Sequence, residues 1–141
     1  MTEFIFKLLN DIGFTHPLHP AITHVPMGMI MGGFTFAAVA LFFKKDQLAK
    51  TAHYCFILAL IGILPTMVLG YLDWQHSFEG VWNTLIKLKI AGAFVLGILL
   101  IIAVKQGQKS ENISRTIMVV YTLCLMNAIA MGFLGGELQY G

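Results

Sequence analysis

Four long runs of apolar residues follow one another along the chain, and short polar connections separate them. Each run holds about 20 residues, which is the length of a helix that crosses the hydrocarbon core of a bilayer. Because backbone groups in lipid must be hydrogen-bonded within their own segment, the runs are predicted to be helices. The predicted spans are 21–43, 54–72, 85–104 and 117–134.

The spans predict an all-α fold, an integral membrane antiparallel four-helix bundle that forms a single transmembrane domain over residues 1–141. Neighbouring helices are expected to run antiparallel because the connections between them are short. Ahead of the first span, apolar residues recur at helical spacing, which indicates a short N-terminal helix lying in the membrane interface. The apolar residues of this segment are Phe4, Ile5, Leu8, Leu9 and Ile12.

The composition agrees with a chain whose outer surface is lipid. Of the 141 residues, 57% are hydrophobic and 11% are charged, whereas a soluble domain carries about 25% charged residues. The net charge of +2 is small and the basic residues are dispersed, so no nucleic-acid partner is predicted. Cys55 and Cys124 lie inside apolar runs without a CxxC spacing, which indicates buried thiols rather than disulfide or ligand roles.

Six of the nine basic residues lie in the first and third connections between spans. They are Lys44, Lys45, Lys50, Lys105, Lys109 and Arg115. The positive-inside rule assigns this side of the bilayer to the cytoplasm. The sequence therefore predicts a multi-pass protein of the bacterial inner membrane with both termini in the periplasm.

Two pairs of glycines have the GxxxG spacing, Gly28 with Gly32 and Gly132 with Gly136. Small residues at this spacing let helix backbones approach closely in a membrane. We expect both pairs to serve packing within the bundle. A homo-oligomer joined through these faces is the alternative.

Three polar motifs return to the same side of the membrane when the helices run antiparallel. They are HPLHPAITHVP at 16–26, GYLDWQH at 70–76 and GGELQYG at 135–141. The predicted cluster contains His16, His19, His24, His76, Asp73, Glu137 and Tyr140. A residue before proline avoids the helical region, so HPLHP is predicted to be extended, and His24 is expected to point into the bundle.

Each polar residue of this cluster also has a structural interpretation. His16 and His19 are suited to capping helix ends or binding water, whereas His24 is expected to have a polar partner. Asp73 is suited to a solvated helix end. Glu137 is suited to an ion pair with Lys87 or Lys89 at the start of the third span. These lysines either extend to the interface or bind an anionic group in the cluster, and at most one of them points inward. Asn127 is expected to form an interhelical hydrogen bond.

The combination of HPLHPAITHVP, GYLDW and GGELQYG resembles a bacterial membrane family known as domain of unknown function 2231. The resemblance covers most of the chain. The family has no assigned activity, and in size and helix count it looks like the four-helix b-type cytochromes. Its members commonly carry a histidine early in the third helix, where this chain has Lys87 and Lys89.

Three functions are consistent with these residues. The first is a haem b-binding electron-transfer subunit with its site at the periplasmic face. His24 and His76 would be the axial ligands, and Lys87 or Lys89 would contact a haem propionate. Such a protein would exchange electrons between quinone and periplasmic redox proteins.

The second function is a non-haem zinc or iron site, because mixed imidazole and carboxylate ligands suit these metals. Its candidate ligands are His16, His19, His24, His76, Asp73 and Glu137. The third is a structural or assembly module of a membrane complex that needs no cofactor. The chain has no nucleophile motif, so neither hydrolytic nor transferase chemistry is predicted.

Overall fold

The structure is a computed structural model that describes Lys7, Asp11, Gly13 and residues 18–77, 79–108 and 112–140. Lys7 and Asp11 are helical and exposed, but the rest of the predicted interfacial helix lies outside the described residues, as does His16. The side chain of Tyr140 is likewise not described.

Four helices make up nearly all of the described chain. They are α1 (Leu18–Phe43), α2 (Asp46–Ser77), α3 (Thr84–Gln108) and α4 (Arg115–Tyr140). Each is long and apolar enough to cross a membrane, which confirms the predicted all-α membrane bundle. The helices extend beyond the predicted spans because hydropathy marks only the part in hydrocarbon, whereas helical hydrogen bonding continues into polar turns. The clearest case is α2, which begins at Asp46 rather than at residue 54.

The helices form a ring in which each packs against its neighbours in sequence, and α1 closes the ring against α4. Within the described residues, no backbone contacts link α1 to α3 or α2 to α4. Long side chains fill the centre instead. Phe56 of α2 stacks on Tyr121 of α4 with ring centroids 3.8 Å apart, and Gly33 of α1 leaves the space that Phe56 occupies.

The outward surface of the bundle is strongly apolar. Phe42 is 82% exposed and Phe133 is 77% exposed, and such large side chains would promote association in water. In a bilayer they contact lipid tails. Five of the thirteen enclosed core positions in the described chain are alanines, which lets the helices approach closely there.

The two ends of the bundle differ in charge and chemistry. We call the end that carries Lys44, Lys45, Lys50, Lys105 and Arg115 the basic end. We call the opposite end, where α1 and α3 begin and α2 and α4 finish, the motif end.

Tryptophans mark the motif end as a membrane interface. Trp74 and Trp82 pack edge to face with ring centroids 4.6 Å apart. The Trp74 indole N–H donates to the Val81 carbonyl at 3.0 Å. Tryptophans are enriched at membrane–water interfaces, where their amphipathic rings lie at the level of the headgroups.

Candidate functional site

The motif end brings polar groups from three helices together and packs them against the fourth. His19 comes from α1, Asp73 from α2 and Lys89 from α3, while Gly135 of α4 borders the Lys89 ammonium. We call His19, Asp73 and Lys89 the polar cluster. The antiparallel arrangement that was predicted to gather the three motifs on one side is therefore what the structure has.

Asp73 caps the beginning of α1 from the end of α2. Its Oδ2 accepts a hydrogen bond of 2.7 Å from the backbone N–H of His19. The first turn of a helix has N–H groups without intrahelical partners, and its positive dipole end favours an anion. Asp73 is only 5% exposed, so the interpretation of this residue as a solvated helix end is wrong.

The His19 imidazole is held against the backbone of α2. Its Nδ1 lies 2.9 Å from the carbonyl oxygen of Thr66. A carbonyl only accepts, so Nδ1 carries the hydrogen, and in the neutral ring Nε2 carries the lone pair. A Cβ at Gly70 would lie 3.0 Å from His19 Nδ1, so the glycine of the GYLDW motif provides the space for this ring.

The surroundings of His19 favour its neutral form. Burial, the largest influence, lowers the pKa of the imidazole below its usual value of 6.5. The hydrogen bond to the Thr66 carbonyl and the charge of Asp73 raise this pKa, and the charge of Lys89 lowers it. Because burial dominates, the ring is neutral at pH 7.

Of the two lysines at the start of α3, only Lys89 takes part in the polar cluster. Lys87 is exposed, whereas Lys89 is partly buried and interacts electrostatically with Asp73. The expectation that at most one lysine points inward is confirmed. An ion pair between Glu137 and Lys89 was considered from the sequence. In the structure Asp73 interacts with Lys89 instead, and the Glu137 side chain is exposed. Gly135 of the GGEL motif lies beside the Lys89 ammonium, and a Cβ there would be 3.7 Å from Nζ.

His24 and His76 are both exposed. His24 Nδ1 donates at 2.7 Å to the carbonyl of Pro20 on its own helix, so the expectation that His24 points into the bundle is wrong. The predicted extended conformation is also wrong for residues 18–20, because α1 already begins at Leu18. Proline is tolerated in a first turn, where its missing N–H has no helical partner, and Asp73 caps this turn.

No three side chains of His, Cys, Asp or Glu within the described part of the chain lie close enough together to hold a metal ion. His16 belongs to the residues that are not described. A zinc or iron site at the motif end therefore stays a prediction.

The GxxxG glycines differ in what surrounds them. A Cβ at Gly28 or Gly32 would meet no described residue within 4 Å, whereas one at Gly132 would lie 3.1 Å from Met27 Cε. The expectation of packing within the bundle is wrong for the first pair. In the second pair it is right for Gly132 and wrong for Gly136, which also borders open space.

A second set of polar atoms lies inside the bundle. Four buried atoms have no hydrogen-bond partner among the described residues: His53 Nδ1, Gln106 Oε1, Tyr121 OH and Asn127 Oδ1. The hydrogen bond expected for the Asn127 amide oxygen is therefore not found in this part of the structure. Each such atom destabilises a protein by about 1–3 kcal/mol unless water or a ligand satisfies it.

Two features that hold His19 in place were not predicted from the sequence. They are the Thr66 carbonyl and the absent side chain of Gly70. A backbone carbonyl has no sequence signal. Gly70 did have one, since a glycine inside a predicted helix is unfavourable relative to alanine and often has a packing reason.

The family model described as "Predicted membrane protein (DUF2231)" matches residues 15–141. The match includes all three polar motifs and the four helices. No curated protein and no solved structure matches the chain.

Proposed function

The chain belongs to the DUF2231 family of predicted membrane proteins, and we propose that it is a structural module that assembles in the membrane through the outward face of α1. The observation that carries the proposal is the open space beside Gly28 and Gly32. The partner that we propose is a second copy of the same chain.

Glycine in a helix interior destabilises the helix by about 1 kcal/mol relative to alanine. Most glycines within the spans have a local packing reason. Gly33 accommodates Phe56, Gly62 lies against Pro26, and Gly92 lies against Met131. A Cβ at Gly28 or Gly32 would contact no described residue of the chain, and this supports a role in contact with a second copy.

The surface around Gly28 and Gly32 has the shape of a helix-docking face. Val25 and Phe36 are exposed at either end of the pair, and the glycines between them leave a shallow strip. The Thr35 hydroxyl donates to the Met31 carbonyl at 2.9 Å, so it presents no unsatisfied polar group to the membrane. In membranes, helices associate through van der Waals packing at small residues, and an identical face on a second copy gives a closed two-fold pair.

The polar cluster supports this role by holding α1 in place. Asp73 caps its first turn and Thr66 binds the His19 ring, so two contacts to α2 position the beginning of α1. Further along, Pro26 packs on Gly62. A rigid α1 loses little conformational freedom on association, which favours binding.

The test is energy transfer between donor- and acceptor-labelled copies in liposomes, measured while lipid dilutes the protein. The wild type is expected to give transfer that falls on dilution, and the pair Gly28→Leu with Gly32→Leu is expected to weaken association at least about tenfold, which is 1.4 kcal/mol. Gly97→Leu is the matched control, because Gly97 of α3 also borders open space. A wild type that stays monomeric at the highest density, or an equal loss in the control, would contradict the proposal.

A second candidate is the haem b electron-transfer subunit, with quinone and periplasmic redox proteins as its partners. The observation that favours it is the hydrogen bond from His19 Nδ1 to a backbone carbonyl. That arrangement orients an imidazole and leaves Nε2 for a metal. For this candidate we assign His19 rather than His24 as the ligand, because His24 is exposed and bonded to its own helix.

Absorbance of the detergent-purified protein before and after dithionite tests this candidate. A Soret band that is lost in His19→Ala and kept in His24→Ala would support it. Elemental analysis of the same preparation tests the zinc or iron alternative. A colourless protein without stoichiometric metal would remove both and leave the structural module.

A further inference from the structure

A groove runs along the outside of the bundle at the basic end, where α1 meets α4. Its volume is about 390 Å³. It is lined by Leu41, Arg115, Met118, Val119, Thr122 and Leu123. All but one of these residues belong to α4, where they form one stripe of the helix surface.

The polarity of the groove changes along its length. Arg115 is the first residue of α4, and Leu123 lies about 12 Å further along the helix axis at a rise of 1.5 Å per residue. Between them the lining is apolar, because the Thr122 hydroxyl donates to the Met118 carbonyl at 2.8 Å and leaves only its methyl group for the groove. A cation at the membrane surface followed by an apolar channel matches the polarity of a phospholipid.

The surroundings of Arg115 favour an anion. Lys44, Lys45, Lys50 and Lys105 lie at the same end, and Asp46 is the acidic residue there within the described chain. The Ser114 hydroxyl caps the first turn of α4 by accepting from the Ile117 N–H at 3.2 Å. The positive end of the helix dipole adds to the Arg115 charge.

We infer that this groove binds an anionic phospholipid, with the phosphate at Arg115 and an acyl chain along the apolar stripe of α4. A second copy of the chain is a poorer occupant, because a two-fold pair centred on this groove would place one Arg115 beside the other. Basic pockets between transmembrane helices bind anionic headgroups in the same way. The inference does not depend on the proposed assembly through Gly28 and Gly32.

The test is native mass spectrometry of the delipidated protein with equal amounts of phosphatidylglycerol and phosphatidylcholine of the same acyl chains. The wild type is expected to retain phosphatidylglycerol preferentially. Arg115→Gln is expected to weaken that binding about five- to tenfold and to remove the preference. Equal retention of the two lipids by the wild type would overturn the inference.

Three controls separate a groove from general attraction to a basic surface. Lys50→Gln removes one charge from the same end without changing the groove lining and is expected to keep the preference. Leu123→Trp fills the groove and is expected to reduce phosphatidylglycerol binding with Arg115 in place. Inorganic phosphate alone is expected not to displace the lipid. An equal loss of the phosphatidylglycerol preference in Lys50→Gln, or full displacement of the lipid by phosphate, would contradict the inference. If Leu123→Trp does not fold, the result for Arg115→Gln tests the inference by itself.

Discussion

The carboxylate of Asp73 accepts a hydrogen bond from the backbone N–H of His19, a residue 54 positions earlier in the chain. One helix is thus capped by a side chain from its neighbour. Since Lys89 of a third helix interacts with the same carboxylate, Asp73 joins three of the four spans at the motif end.

Replacing Asp73 should therefore destabilise the whole bundle. Asp73→Asn removes the charge that faces both the α1 dipole and Lys89, and we expect a loss of about 2 kcal/mol in the free energy of unfolding. The measurement is reversible unfolding in mixed detergent and SDS micelles. Glu137→Gln makes the same chemical change at an exposed position of the same end and should stay within about 0.5 kcal/mol of the wild type. Equal effects of the two substitutions would rule out the capping role.

Two glycine-to-alanine substitutions should have opposite signs. Gly70→Ala places a Cβ 3.0 Å from His19 Nδ1, so the ring must shift against its hydrogen bond to the Thr66 carbonyl, and a loss of roughly 1–3 kcal/mol is expected. Gly97→Ala places its Cβ in open space and should stabilise α3 by about 0.5–1 kcal/mol through helix propensity. The same unfolding assay measures both. If Gly70→Ala leaves the free energy of unfolding unchanged, the position of the His19 ring does not depend on the space beside Gly70.

Stability should decrease in mild acid because of His19. The pKa of its imidazole in the folded protein is lowered by burial below the usual 6.5, so the unfolded state binds the proton first as the pH falls. The contribution of neutral His19 to the free energy of unfolding is fully present above pH 6.5 and is lost as the pH falls through the folded-state pKa of the imidazole.

The variant His19→Asn checks this dependence. Its amide N–H can replace Nδ1–H as the donor to Thr66, yet the amide does not titrate. Unfolding measured between pH 4 and 8, roughly the range over which histidine changes charge, should lose part of its acid dependence in this variant. His24→Asn changes an exposed histidine and serves as the control. An unchanged pH profile in His19→Asn would assign the dependence to other groups.

The buried hydroxyl of Tyr121 provides a fourth prediction. It has no hydrogen-bond partner among the described residues, and its ring is fully enclosed against Phe56. Tyr121→Phe keeps the stacked ring and removes the unsatisfied group, so stability should be unchanged or rise by up to about 1 kcal/mol. Tyr54→Phe, at an exposed position, is the comparison. A clear loss in Tyr121→Phe would indicate an internal water bound to the hydroxyl.

The spans and the motif end could be predicted because their signals are local. Transfer of a residue from water to hydrocarbon depends on that residue alone, so each span is recognisable without knowledge of the others. Short connections then impose antiparallel neighbours, which is enough to bring His19, Asp73 and Lys89 to one side. The prediction that at most one of Lys87 and Lys89 points inward also came from a local signal, because positions two apart lie on different faces of a helix.

A four-span membrane protein with its polar motifs at one end follows from the amino-acid sequence alone. The entry of His19 rather than His24 into the polar cluster, and the outward orientation of Gly28 and Gly32, depend on how the helices pack. The physical reason is that a transmembrane helix is apolar on every side, so its hydrophobic pattern carries no information about its rotation. That rotation follows from packing, where Pro26 fits against Gly62 and His19 fits against Gly70.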